Sequence, residues 1–294
     1  MVALCRSYLF APGSNEKLLG KVFDAGADAV VLDLEDAVAP ERKPPARQLV
    51  ADVLHTRTAQ SRPRIYVRIN AVTTSFWRED VAAITHPIVH GIRVAKAESF
   101  AQLQQVSDVL EQAEQQAGIA IGTIRLVPTI ESAVGLLAVA EMARHKRVEA
   151  FAFGAADFCH DIGAEPDEME TQTLFARSQL VLLSRAAGIN APIASVYTRL
   201  QDVEGLRATT EAARRLGFFG RSCIHPSQLA VIHEVFTPSA EQITEARTIL
   251  VAFEKAMNEG NAAIALPDGQ FVDRPIVERA RAIVALAESM DGKI

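Results

Sequence analysis

Short apolar runs alternate with helical patterns along most of this chain, and that rhythm limits the fold more than any other feature of the sequence. Residues 7–11, 29–34, 64–70, 91–96, 124–131, 151–157, 192–197 and 221–225 read as strands, each brief and rich in β-branched or aromatic side chains. Between them, helical spacing predicts helices over 17–25, 41–54, 99–116, 132–147, 171–187 and 203–216. Pro44 and Pro45 are tolerable only in the first turn of the second of these. Eight strands separated by helices predict an α/β fold, a parallel (β/α)8 TIM barrel over residues 1–235. An open doubly wound sheet competes, but it usually has fewer strands, and no G-x-G-x-x-G follows the first strand. Beyond the eighth strand the rhythm changes to a helix over 239–259, a loop over 260–273 and a helix over 275–290. Residues 236–294 are therefore expected to form a C-terminal helical extension, a lid or an arm that packs on a neighbouring subunit.

The 294 residues, 49% hydrophobic and 22% charged, can bury a large core. With a formal charge of −6 and no Lys/Arg block, nucleic acid is not an expected partner. Three cysteines, Cys5, Cys159 and Cys223, without C-x-x-C spacing suggest neither a zinc site nor a disulfide framework, so a reducing cytoplasm is expected. The first residues lack the basic and apolar regions of a secretory leader, and no apolar run approaches the roughly 18 residues of a membrane span.

The chemistry is expected where strands end, because strand C-termini share one face of a parallel barrel. The fifth and sixth runs end on carboxylates, Glu131 and Asp157, with a helix between them. Two hard oxygen donors on one face suggest a divalent cation such as Mg²⁺, with water and substrate completing its shell. The same acids would also serve as plain helix caps. Asp33, Glu35 and Asp36 crowd three acids behind the second run, a costly arrangement unless cations, donors or water compensate. They read as a shell around metal-bound waters or an acid/base group, or as solvated loop acids with Asp36 capping the next helix.

Arg68, inside an apolar strand, can hold a carboxylate or a developing enolate oxygen, and can at the same time pair with Asp33 or Glu35. Arg93 and Arg125 sit early in their runs, toward the other face. Lys96 is either a Schiff-base nucleophile or a charge partner of the acids; the acid cluster favours the second. His225 in a His-Pro turn reads as structural, and His160 as a loop residue.

Taken together, several motifs resemble the citrate lyase β-subunit-like family, which includes malyl-CoA, β-methylmalyl-CoA and citramalyl-CoA lyases. They are Arg6-Ser-Tyr-Leu-Phe-Ala-Pro-Gly13, the segment 26–38 with Leu-Asp33-Leu-Glu35-Asp36, Val67-Arg68-Ile-Asn70, Lys96-Ala-Glu-Ser99 and Ile130-Glu131-Ser-Ala-Val-Gly135. Phe153-Gly-Ala-Ala-Asp157, Asp202-Val-Glu-Gly-Leu206, Cys223-Ile-His-Pro-Ser-Gln228 and Asp268-Gly-Gln-Phe-Val-Asp273 complete the set.

The resemblance implies a Mg²⁺-dependent barrel enzyme that cleaves or forms a C–C bond in a 3-hydroxyacyl-CoA, yielding acetyl-CoA and a 2-oxo acid. Glu131 and Asp157 would ligate the metal, Glu131 also facing substrate. Arg68 would contact the substrate carbonyl and enolate, and Asp33, Glu35, Asp36 and Lys96 would surround the metal waters, Asp36 within reach of acid/base work. Asp273 matches an acid that reaches the site from an adjacent subunit, which implies a homo-oligomer, a trimer or a multiple of it. Phe10, Lys17 and Lys21 fall where the family's first loop and helix approach CoA. Ala95, Ile130 and Arg199 depart from the family pattern and bear on substrate identity. A citrate lyase β subunit, a malyl-CoA thioesterase and a non-catalytic CoA-binding subunit are the alternatives.

Overall fold

The computed structural model describes residues 4–58, 63–167, 170–258, 263–265 and 271–291. Contacts divide the chain into a unit Leu4–His233 and a second unit from Glu234 onward. In the first, seven parallel strands are hydrogen-bonded in the order β6-β5-β4-β3-β2-β1-β7. They are β1 (Ser7–Pro12), β2 (Ala29–Asp33), β3 (Arg64–Ile69), β4 (Val89–Val94), β5 (Arg125–Ile130), β6 (Ala152–Phe153) and β7 (Arg221–Cys223). Helices cover the outer face, so the strands are buried on both sides; every residue of β2 is buried, and its sequence is almost wholly apolar.

The seventh predicted strand is reduced to two residues. Ile193 bridges Ala152 of β6, and Ala194 bridges Arg221 of β7. Ile193 donates to the Phe151 carbonyl at 2.8 Å and Ala194 to that of Gly220 at 2.9 Å, which closes the curled sheet into a TIM-barrel-like fold. Pro192 cannot donate to a ladder. Ser195 leaves the ladder, and its Oγ accepts from the Ala155 N–H at 3.1 Å.

The helices follow the sequence where a capping residue marks their start. α1 (Glu16–Lys21) begins at Asn15, α2 (Lys43–His55) has its prolines in the first turn, and α3 (Trp77–Ile84) was not legible in the sequence. α4 (Phe100–Gln116) starts at Ser99, whose hydroxyl accepts from Gln102 N–H. The helix expected over 132–147 is instead two short pieces, α5 (Ala133–Leu137) and α6 (Val139–Met142). It stops because Arg147 turns inward: fully buried, it meets both carboxylate oxygens of Glu114 at 2.7 and 3.0 Å, Ser107 Oγ at 3.0 Å and the Ile124 carbonyl at 3.0 Å.

The sixth strand also ends earlier than its sequence suggests. It stops at Phe153, and α7 (Ala155–Asp161) follows, so Asp157 lies in a first helical turn and not at a strand end. His160, read as a loop residue, is in the last turn of α7 and exposed. α8 (Leu174–Ala186), α9 (Val203–Leu216) and α10 (Leu229–Phe236) complete this stretch.

In the second unit, α11 (Ala240–Asn258) and α12 (Arg274–Asp291) share a small core of Ala246, Ile249, Val272, Val277 and Ala280. The expected loop between them holds a short antiparallel pair, β8 (Ile264–Ala265) with β9 (Phe271–Val272). Its motif residues 268–270 lie outside the described residues. Among the described residues no helix is long and apolar enough to cross a membrane.

The Arg147–Glu114 pair makes a direct prediction. Glu114→Ala leaves a buried guanidinium with only Glu111, at 3.8 Å, as a carboxylate partner and should cost about 3–5 kcal/mol, measured by urea denaturation; a loss within about 0.5 kcal/mol would show that the pair does not hold this helix–strand junction.

Candidate active site at the strand C-termini

Asp33 and Arg68 are register partners on β2 and β3. Arg68 Nε and Nη2 meet the Asp33 carboxylate at 2.7 and 2.6 Å, a forked pair, and its Nη1 reaches Glu35 Oε2 at 3.0 Å and Asp36 Oδ2 at 3.6 Å. Asp33 also accepts from the Glu35 and Ala37 N–H groups, so it holds the turn that carries the other two acids. A guanidinium has five N–H bonds; Asp33 and Glu35 take three, leaving at most two for a ligand.

Lys96, two residues past the end of β4, covers the acids. Its Nζ lies 2.7 Å from Glu35 Oε1 and 3.3 Å from Asp36 Oδ1. Its backbone turns left-handed to do so, with φ 49°, a conformation that costs an L-residue about 1–2 kcal/mol. The two carboxylic acids diverge in proton affinity. At buried Glu35, burial outweighs Arg68 and Lys96 and raises the pKa. At exposed Asp36, burial again opposes ionisation, but the hydrogen bond with Glu35 and the two cations prevail and hold it low. Both Arg68 and Lys96 stay protonated, since their carboxylate partners outweigh desolvation and raise their pKa values.

Glu131 follows β5 directly and is 5% exposed. Burial, with the charges of Glu35 and Asp157 adding to it, pushes its pKa up to about 8, against Arg68 and Lys96. Its Oε2 is buried without a hydrogen-bond partner. A Cβ at position 154 would lie 2.5 Å from Glu131 Cγ, so the glycine after β6 is what lets this carboxylate lie against the backbone. Asp157, exposed on α7, makes no hydrogen bond or ion pair among the described residues. One unpartnered buried oxygen, and a second carboxylate whose charge acts on it, form a donor set that fits a hard divalent cation such as Mg²⁺, which commonly takes one or two carboxylates and keeps its waters. Among the described residues no three Asp, Glu, His or Cys side chains form a metal cage, so the chain offers an open pair.

Beside Asp33 opens a mainly apolar cavity of about 440 Å³ lined by Leu9, Phe10, Lys21, Val22, Ile224 and His225, among others. Phe10 and Lys21 thus share one wall, whereas Lys17 is exposed outside it. His225 is an N-cap: its Nδ1 accepts from Ser227 N–H at 3.2 Å while Gln228 Oε1 accepts from His225 N–H at 3.3 Å. Asp202 likewise caps α9 and accepts from the Tyr197 hydroxyl, so the Asp-x-Glu-Gly-Leu segment is scaffold. Asp161 Oδ2 accepts from Ala133 N–H at 2.8 Å, tying α7 to α5. Asp273 precedes α12 in the second unit, half-buried, its carbonyl accepting from Val277 N–H at 3.1 Å.

Arg93 corrects the sequence reading. β4 begins at Val89, so Arg93 is its fifth residue, level with Arg68, and not early in the strand. It is 2% exposed and stacks over Tyr8 and Phe10. An arginine in an apolar strand next to that of Arg68 was the available signal. Arg125 does open β5, as read.

The buried carboxylate at 131 makes the metal-free protein sensitive to pH. A raised carboxylate pKa means that the unfolded chain gives up this proton first, so stability falls as pH rises from about 4.5 to about 8. Glu131→Gln should remove that slope and gain up to a few kcal/mol over wild type at the alkaline end. Thermal melts in EDTA from about pH 5 to about 9 test this; parallel curves for the two proteins would refute it.

Residues 6–226 match the HpcH/HpaI aldolase/citrate lyase family model. The citrate lyase subunit beta of Leuconostoc mesenteroides subsp. cremoris is 35% identical over 289 residues, 97% of this chain and 94% of that protein. A (3S)-malyl-CoA thioesterase of Cereibacter sphaeroides is 36% identical over 287 residues, 97% of this chain and 95% of that protein. The crystal structure of CitE from Mycobacterium tuberculosis in complex with magnesium, acetoacetate and coenzyme A superposes with a TM-score of 0.79 at 29% identity, covering 98% of this chain and all of that one. With a barrel of the same architecture and a sequence match across nearly its whole length, this chain belongs to the HpcH/HpaI aldolase/citrate lyase family.

Proposed function

We propose that this protein is a Mg²⁺-dependent carbon–carbon lyase acting on a 3-hydroxyacyl-CoA such as malyl-CoA or citramalyl-CoA, in the cleaving or the forming direction, with acetyl-CoA and a 2-oxo acid as the cleavage products. The observation that carries this reading is the carboxylate couple: Glu131, buried with an unpartnered oxygen, and Asp157, whose charge acts on it. The magnesium and coenzyme A bound to the M. tuberculosis relative support the same assignment.

Magnesium held by Glu131 and Asp157 would supply Lewis acidity to the hydroxyl and carboxylate oxygens of the acyl group. Retro-Claisen cleavage then needs the hydroxyl proton removed, the C–C bond broken and its electron pair received as a thioester enolate, which is protonated to acetyl-CoA. In this reading Arg68 donates to the enolate oxygen through the N–H bonds that Asp33 and Glu35 leave open. Asp33 keeps the guanidinium in place. Asp36, ionised at the mouth, and Asp273 from a neighbouring subunit handle protons. The apolar wall with Phe10 takes the pantetheine arm, and Lys21, with Lys17 outside, faces the CoA phosphates.

A thioesterase is the second reading, favoured by the 36% identity to a malyl-CoA thioesterase, which matches the 35% to the citrate lyase subunit. It would use the same residues but deliver water to the thioester carbonyl. Purified protein offered malyl-, citramalyl- and citryl-thioesters, with Mg²⁺ or EDTA, separates the readings: equal acetyl-CoA and 2-oxo acid mark the lyase, and free CoA with intact hydroxy acid marks hydrolysis. Glu131→Ala and Asp157→Ala should each lower Mg²⁺-dependent turnover by more than about 100-fold. Unchanged rates would remove the metal from the proposal.

The shared site is tested by complementation. Asp273→Ala and Glu131→Ala proteins should each be nearly inactive, and mixed oligomers should regain part of the turnover. No recovery in oligomers shown to be mixed would place Asp273 outside its neighbour's site.

A further inference from the structure

Arg93 is not explained by the reaction proposed above. Its guanidinium is buried in the barrel and makes one hydrogen bond, Nη1 to Ser222 Oγ at 3.1 Å. Its Nε and Nη2 are buried without a partner, and it forms no ion pair among the described residues. A buried cation in that state is expensive to keep. Burial pulls its pKa down to about 10, and Arg68 adds to this, while Tyr8, Tyr66 and Glu131 oppose it, so it stays charged at neutral pH.

Its surroundings point upward, toward the mouth. On β5, its register partner Val127 shares the barrel interior with residues two and four positions on, Thr129 and Glu131, by strand alternation. Thr129 Oγ1 and Glu131 Oε2 are both buried without partners. Unsatisfied donors on Arg93 and unsatisfied acceptors above it thus rise along two adjacent strands. The Phe10 ring links Arg93 to the mouth a second way: its centroid lies 5.5 Å from the Arg93 guanidinium carbon and 5.2 Å from that of Arg68. Meanwhile Arg68 and Lys96 are committed to Asp33, Glu35 and Asp36. Among the described residues Arg93 is a further cation in the barrel interior, and the charge of Glu131 favours its charged form.

We infer that Arg93 is a positioning residue: from the barrel interior its charge orients the Glu131 carboxylate for the cation, and through Phe10 it props Arg68. The metal part of this inference rests on the proposed function; the Arg93–Glu131 link does not.

A double-mutant cycle with Arg93→Met and Glu131→Gln, read by urea denaturation in EDTA at a pH between the Glu131 value of about 8 and the Arg93 value of about 10, where both are charged, tests the link without metal or substrate. Arg93→Met should destabilise the protein that has Glu131, and be neutral or stabilising in the Glu131→Gln background, where an unpaired buried charge is simply removed. Equal effects in both backgrounds would overturn the inference. A double variant that folds where Arg93→Met does not would support it in the strongest form. Mg²⁺ titration by calorimetry, with no substrate present, tests the consequence. Arg93→Met should weaken binding at least tenfold and Arg93→Lys, which keeps the charge, less than threefold. Wild-type affinity in folded Arg93→Met, or a tenfold loss in Arg93→Lys, would overturn the role of the charge. A wild-type protein that binds no Mg²⁺ would sink the proposed function, while the cycle would still decide the Arg93–Glu131 link.

Discussion

The forked pair between Asp33 and Arg68 is the interaction on which the barrel mouth depends. Asp33, Glu35, Asp36, Glu131 and Asp157 converge there, and like charges at such spacing cannot all ionise in a low-dielectric setting without compensation. Arg68 neutralises Asp33 and Glu35 from the next strand, and Lys96 closes over Glu35 and Asp36. Glu131 nevertheless has a raised proton affinity: burial dominates, the charges of Glu35 and Asp157 add to it, and Arg68 and Lys96 offset it only in part. Holding these acids together costs stability at the mouth, the usual exchange of stability for function.

The scaffold accepts this cost because it is rigid where the acids emerge. Asp33 and Arg68 sit on neighbouring strands in register, Glu131 follows β5 without a loop, and Gly154 lets its side chain lie flat against the end of β6. Residues within and beside the family motifs serve that rigidity. Asp202, His225 and Asp161 each satisfy backbone N–H groups at helix starts, which fixes the loops around the mouth.

The barrel interior is more polar than an apolar-core picture suggests. Tyr66 donates to Glu149 at 2.7 Å near the start of the strands, and Arg93 lies above it, level with Arg68 and its acids. Strand alternation points every second residue inward, so this axial column is encoded by residues two apart: Tyr66 and Arg68, Thr129 and Glu131.

By itself the sequence determined the barrel and the identity of its acids. Period and length distinguish strands from helices locally, and strand ends in a parallel barrel share one face, so Glu131, Asp33 and Arg68 were legible as residues of one barrel end. Three things were decided only by tertiary structure. The sixth and seventh strands are shorter than their apolar runs, because Asp157 begins a helix and Pro192 cannot join a ladder. Arg93 moved to the level of Arg68, because the start of β4 is set by pairing with β3 and not by its own hydrophobicity. And the cost of Glu131 could not be read from its neighbours in sequence, since burial and the charges of Glu35 and Asp157 reach it only across the folded barrel.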